Sequence, residues 1–73
     1  MPKKFRIFKP KEVISILLLN GFEFRRSKGS HQIFVSINGS KRVTIPMHSG
    51  RDLLPATLAS IVRQSGLPEQ LFK

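Results

Sequence analysis

The chain has 73 residues, 13 Lys and Arg against four Asp and Glu, and no Cys, for a net charge of +9. That size allows one domain, hiding only about 60% of the surface its unfolded chain exposes, and the lack of Cys excludes disulfide staples and thiolate metal sites. The charge calls for a polyanionic partner, nucleic acid first and an anionic membrane surface second.

Residues 1–8 read as a basic arm, frayed or docked through Phe5, Ile7 and Phe8, with a single domain over residues 9–73. The basic start and the apolar run that follows lack a small-residue cleavage site, so export is not expected. The longest apolar run, residues 13–19, is interrupted by Ser15 and falls short of the ~20 residues a membrane span needs. A cytoplasmic location is the expectation.

Pro10 suits the first position of a helix, and Glu12 falls where the helix dipole favours a carboxylate. Val13, Ile14, Leu17 and Leu18 form the apolar stripe, and Asn20-Gly21 ends the helix. The period then changes to two. In a first strand Phe22, Phe24 and Arg26 point one way, Glu23 and Arg25 the other. Residues 27–30 are a turn by composition, residues 31–36 a second strand, and Asn38-Gly39 a short hairpin signal. A third strand covers residues 41–45 and is closed by Pro46. Residues 47–53 form a loop containing His48. Pro55 opens a second helix with Leu54, Leu58, Ile61, Val62 and Ser65 on its buried stripe and Gly66 as cap. The tail, residues 69–73, docks through Leu71 and Phe72.

The fold class is therefore α+β, in the order α-β-β-β-α: a three-stranded antiparallel sheet with both helices on one face. Phe24, Phe34, Val43 and Ile45 are the expected helix-facing residues. His31, three residues before Phe34, falls on the open face with Ile33, Val35, Glu23, Arg25 and Arg42, and Lys28 stands in the adjacent turn. Two apolar residues on an otherwise polar face suggest a surface that becomes covered.

A histidine ringed by cations can serve RNA chemistry. Cleavage through the 2′-hydroxyl needs a base, an acid and cations to offset charge on the phosphate. Imidazole, with an ordinary pKa near 6.5, suits the proton steps, and Lys and Arg suit the phosphate. On residue type alone, His31 could equally be a histidine that merely starts a strand. Lys28, Arg25, Arg26 and Arg42, with Gly29 and Ser30 of the turn, are the RNA-binding candidates, and each cation has a solvated surface charge as its alternative. His48 is a possible second catalytic group, or a loop histidine that touches phosphate. Two His and four carboxylates in no ligand spacing argue against a metal site, and no cofactor is called for. The competing function is a non-catalytic module of double-stranded RNA-binding type, which would need a basic patch at the start of its second helix. That start reads Arg51-Asp52-Leu53-Leu54-Pro55-Ala56 and is poor in cations.

Several runs together carry a family resemblance. These are Asn20-Gly21-Phe22, Lys28-Gly29-Ser30-His31-Gln32-Ile33-Phe34, Val43-Thr44-Ile45-Pro46 followed by His48 and Gly50, and Leu54-Pro55-Ala56-Thr57-Leu58 with Ile61 and Gly66-Leu67. In order and at spacing over about residues 9–72, they resemble the HicA (YcfA-like) toxins, whose fold is that of the double-stranded RNA-binding domain. The resemblance implies a messenger-RNA endoribonuclease of a type II toxin–antitoxin system, with His31 as catalytic residue. It also implies a HicB-type antitoxin covering the active face. Ala56 stands where that family usually has Gly, an exchange that favours the helix by up to ~1 kcal/mol.

Overall fold

The computed structural model describes residues 7–47 and 51–73. Its elements are α1 (Pro10–Leu19), β1 (Phe22–Lys28), β2 (His31–Ser36), β3 (Arg42–Pro46), α2 (Pro55–Ser65) and a 3-10 turn, η1 (Glu69–Phe72). The strands form one antiparallel sheet in the order β1-β2-β3. The expected α-β-β-β-α architecture is observed.

Helix α1 starts at Pro10, with Glu12 reaching back to accept the Lys9 backbone N–H at 2.8 Å. A lysine side chain carries only donors and cannot complete a reciprocal cap. Lys9 Nζ instead donates to Asp52 Oδ1 at 2.9 Å, and Leu53 N–H donates to the Phe8 carbonyl at 2.8 Å. These bonds tie the approach to α2 to the start of α1. Helix α2 ends at Gly66, whose φ of 68° is left-handed and suits a residue without Cβ.

The core lies between the helices and one sheet face. Val13 and Leu17 of α1 and Leu58, Ile61 and Val62 of α2 meet Phe22, Phe34, Val43 and Ile45 of the sheet. Phe8 and Phe72 close the cluster edge to face, ring centroids 6.3 Å apart. Phe8 thus belongs to the packed unit although the sequence placed it in the arm; Phe5 lies outside the described residues. Leu18 and Leu54, both assigned to buried stripes, are exposed. Leu54 is the residue that precedes α2, and Leu18 is one step off the Val13–Leu17 line of α1. Phe24 shares a face with Phe34 and packs edge to face against it, but it remains half exposed rather than covered by a helix.

The two hairpins differ. Lys28 pairs with His31, leaving Gly29 and Ser30 as a two-residue loop. Gly29 at φ 60° followed by a residue with negative φ fits a type II′ turn, which matches the twist of the flanking strands. At Asn38-Gly39 the loop is longer: Ser36 N–H donates to the Lys41 carbonyl, and Asn38 keeps a negative φ, which a two-residue type I′ turn does not permit. Asn38 Oδ1 instead accepts from Ser36 Oγ, Ser40 N–H and Ser40 Oγ. On the outer edge of β3, the Thr44 N–H donates to Gln64 Oε1 of α2 at 3.3 Å, which occupies one donor of an otherwise unpaired edge.

Candidate nucleic-acid interface

The face of the sheet away from the helices is ordered in rows by the strand register. In the first row Lys28, His31 and Pro46 stand side by side on β1, β2 and β3; in the second, Arg26, Ile33 and Thr44; in the third, Glu23, Val35 and Arg42. Successive rows are two residues apart on β2, about 7 Å at strand rise.

A β-bulge at Arg25 decides who belongs to this face. Phe24 pairs with Phe34, but the next pair is Arg26 with Ile33, so Arg25 is the extra residue. Unbroken alternation assigned Arg26 to the side of Phe22 and Phe24. The bulge moves it to the open face, and the shifted register carries Lys28 there as part of β1 rather than of the turn. The sequence held a signal for this: strict period two would drive one member of the pair Arg25-Arg26 toward the core, where an unpaired guanidinium is costly.

His31 is exposed at the first residue of β2, directly after the tight turn. Cross-strand neighbours have side chains within interacting range, and the neighbours of His31 are Lys28 on β1 and Pro46 on β3. Met47 N–H donates to the Ser30 carbonyl at 2.6 Å, which fixes the exit of β3 against the turn that carries His31. His48, the proposed second group, lies outside the described residues.

Further along β2, Arg25, Arg26, Ile33, Val35, Gly39 and Arg42 line a shallow hollow of about 400 Å³. Ile33 and Val35 are each only 8% exposed, yet both lie outside the helix-side cluster. Arg25, Arg26 and Arg42 line the same hollow, and arginine stems can lie over apolar residues while their charged ends stay in water. None of the three guanidinium groups makes a hydrogen bond or ion pair with another described residue; Glu23, in the third row, forms none with them either. The sheet and its hairpins, residues 22–46, hold five cations against this one carboxylate, while Glu12, Asp52 and Glu69 belong to the helix layer. The sheet and its hairpins thus carry +4 of the net charge of +9. Among the described residues no three His, Asp or Glu come together as a metal site would require, and no helix is long and apolar enough to cross a membrane.

The sequence profile of the family described as HicA toxin of bacterial toxin–antitoxin matches residues 10–67. The chain belongs to the HicA toxin family. The matched span runs from the first residue of α1 past the end of α2 and includes every strand, so the HicA match covers the whole open face. A search among curated proteins returns no match. Membership makes this chain a toxin component and implies an antitoxin partner.

Proposed function

We propose that this HicA-family toxin is an endoribonuclease that cleaves messenger RNA on the open sheet face, with His31 as general acid and base. The observation that carries the reading is the position of His31, an exposed imidazole paired across the strands with Lys28 on a sheet face whose arginines have no partner among the described residues.

In the neutral imidazole one ring nitrogen can accept the proton of an RNA 2′-hydroxyl. The 2′-oxygen attacks the adjacent phosphorus, the bond to the 5′-oxygen of the next nucleotide breaks, and a 2′,3′-cyclic phosphate forms. The departing 5′-oxygen takes a proton from the imidazolium or from water. Lys28, at the end of β1, offsets the charge that builds on the phosphate oxygens, and the Gly29-Ser30 turn leaves room for the backbone to approach. Arg25, Arg26 and Arg42 hold the rest of the strand. The reaction takes place in the cytoplasm, where messenger RNA is found.

The alternative, a double-stranded RNA-binding module without catalysis, is disfavoured by the start of α2. Asp52 there is engaged by Lys9, and α2 itself carries only Arg63 as a cation. The antitoxin implied by the family is proposed to be of HicB type and to cover the open face, with an acidic surface that matches the guanidinium cluster. Incubating purified protein with a long single-stranded RNA in EDTA tests the enzyme reading. Wild type cleaves and His31→Ala does not, while both bind. Binding without cleavage by either protein leaves the binding module, and equal cleavage by both points to a contaminating nuclease or to His48.

A further inference from the structure

Three arginines with no carboxylate partner among the described residues line one hollow, and like charges on one small surface repel each other in the free protein. The arrangement is relieved by an anion. Arg25 and Arg26 stand on the β1 side of β2 and Arg42 on the β3 side, so an anion in the hollow lies between two cationic banks. The floor, Ile33 and Val35, is too covered to act as a stacking platform for a base. The ligand feature that fits is a phosphodiester and not a nucleobase.

Position identifies the ligand further. His31 and the second and third rows follow one line along β2, separated by about 7 and 13 Å at strand rise. That line has Lys28 and Arg26 on its β1 side, Arg42 on its β3 side and Glu23 at its far end; it is one strand wide, which suits a single extended backbone better than the two backbones of a duplex. We infer that the bulge at Arg25 builds a second phosphate subsite, formed by Arg25, Arg26 and Arg42, which holds a phosphodiester of an unpaired RNA strand one or two nucleotides away from the bond at His31. The inference rests on the reading that the open face is where RNA binds. It adds that the substrate is single-stranded across this segment, and that efficient use of the site needs more than the two nucleotides flanking the scissile bond.

The test is binding of fully 2′-O-methylated RNA, which cannot be cleaved, as a dinucleotide, a tetranucleotide and a hexanucleotide, read by fluorescence anisotropy. The variants are R26Q/R42Q and R25Q, because glutamine keeps part of the stem over Ile33 and Val35 and removes the charge; thermal melting verifies the fold, and R26K/R42K provides a second version that retains charge. Wild type gains affinity between dinucleotide and tetranucleotide. R26Q/R42Q loses that gain, by at least about tenfold, with the dinucleotide unchanged, and its salt slope for longer RNA falls by about 1.4 for two lost phosphate contacts. The lysine version keeps the slope and loses part of the affinity.

Equal loss at every length overturns the subsite, as does no loss at all, and so does a duplex bound as tightly as the single strand of equal length. The two readings fail separately. A length-dependent gain in a wild-type protein that never cleaves RNA removes the nuclease reading and leaves the subsite. Cleavage of long RNA that R26Q/R42Q performs at the wild-type rate leaves the nuclease and removes the subsite.

Discussion

Both faces of this sheet bury apolar side chains, by different means. On one, Phe34, Val43 and Ile45 are at most 2% exposed beneath two helices. On the other, Ile33 and Val35 are 8% exposed outside the helix-side cluster, in a hollow lined by arginines that have no partner among the described residues. The first arrangement is close-packed and supplies stability. The second is held by flexible stems that an incoming ligand can rearrange, and it keeps a concentrated charge in water. Stability and function should therefore separate by face, and substitutions can be chosen to test that division.

The largest effect is expected at His31. His31→Ala lowers RNA cleavage by a factor of about 10² to 10⁴, the usual contribution of a positioned acid or base, with the melting temperature within error of wild type because the ring is exposed and unbonded to described residues. A fall in both quantities would break the separation. On the covered face the order reverses. Phe72→Ala removes a fully buried ring that meets Phe8 edge to face and costs about 3–5 kcal/mol, enough to unfold much of a small domain. Urea denaturation measures it, and a cycle with Phe8→Ala isolates the ring pair at about 0.5–1.5 kcal/mol beyond area.

Smaller effects sharpen the comparison at its margins. Gly66→Ala places a Cβ on a left-handed residue, 3.1 Å from Lys41 Cε. The lysine can move and the backbone cannot, so a cost of about 1 kcal/mol is expected from the lost cap conformation, seen in the denaturation midpoint with cleavage unchanged. Smallest is Asp52→Asn. The Lys9 pair is more than half exposed on one side and nearly so on the other, and pairs of that kind contribute about 0.2–1 kcal/mol, less in salt. Melting at low and high salt shows whether even this remains.

Much of the fold could be read in the chain. Pro10 and Pro55 mark the helix starts, Gly21 and Gly66 the ends, and the switch from helical to alternating apolar spacing at Phe22 marks the sheet. The spacing of His31 from Phe34 points to the open face, and the register agrees. Arg26 was misassigned because a single inserted residue inverts every following side chain on a strand, and period-two counting has no term for it. Composition puts Lys28 in the turn, yet Gly29 needs only Ser30 as loop partner, so the strand continues further than composition suggests. The Asn38-Gly39 signal marked a hairpin but not its length, since side-chain bonds from Ser36 and Ser40 to Asn38 offered the backbone another way to close.

What the sequence determined by itself is local and periodic: the element order, the apolar stripes of Val13 and Leu17 and of Leu58, Ile61 and Val62, the excess of cations, and the residues of the HicA pattern. Each follows from the conformational preferences of a few neighbouring residues. What only the tertiary structure decided depends on contacts between distant segments. Phe8 pairs with Phe72 across nearly the whole chain, Lys9 reaches Asp52, and Arg25, Arg26 and Arg42 meet over Ile33 and Val35 because two hairpin registers and one bulge bring three strands into line. Pairing registers are set by the packing of the whole sheet against its helices, so the gathering of charge that defines the candidate site exists only once the chain has folded.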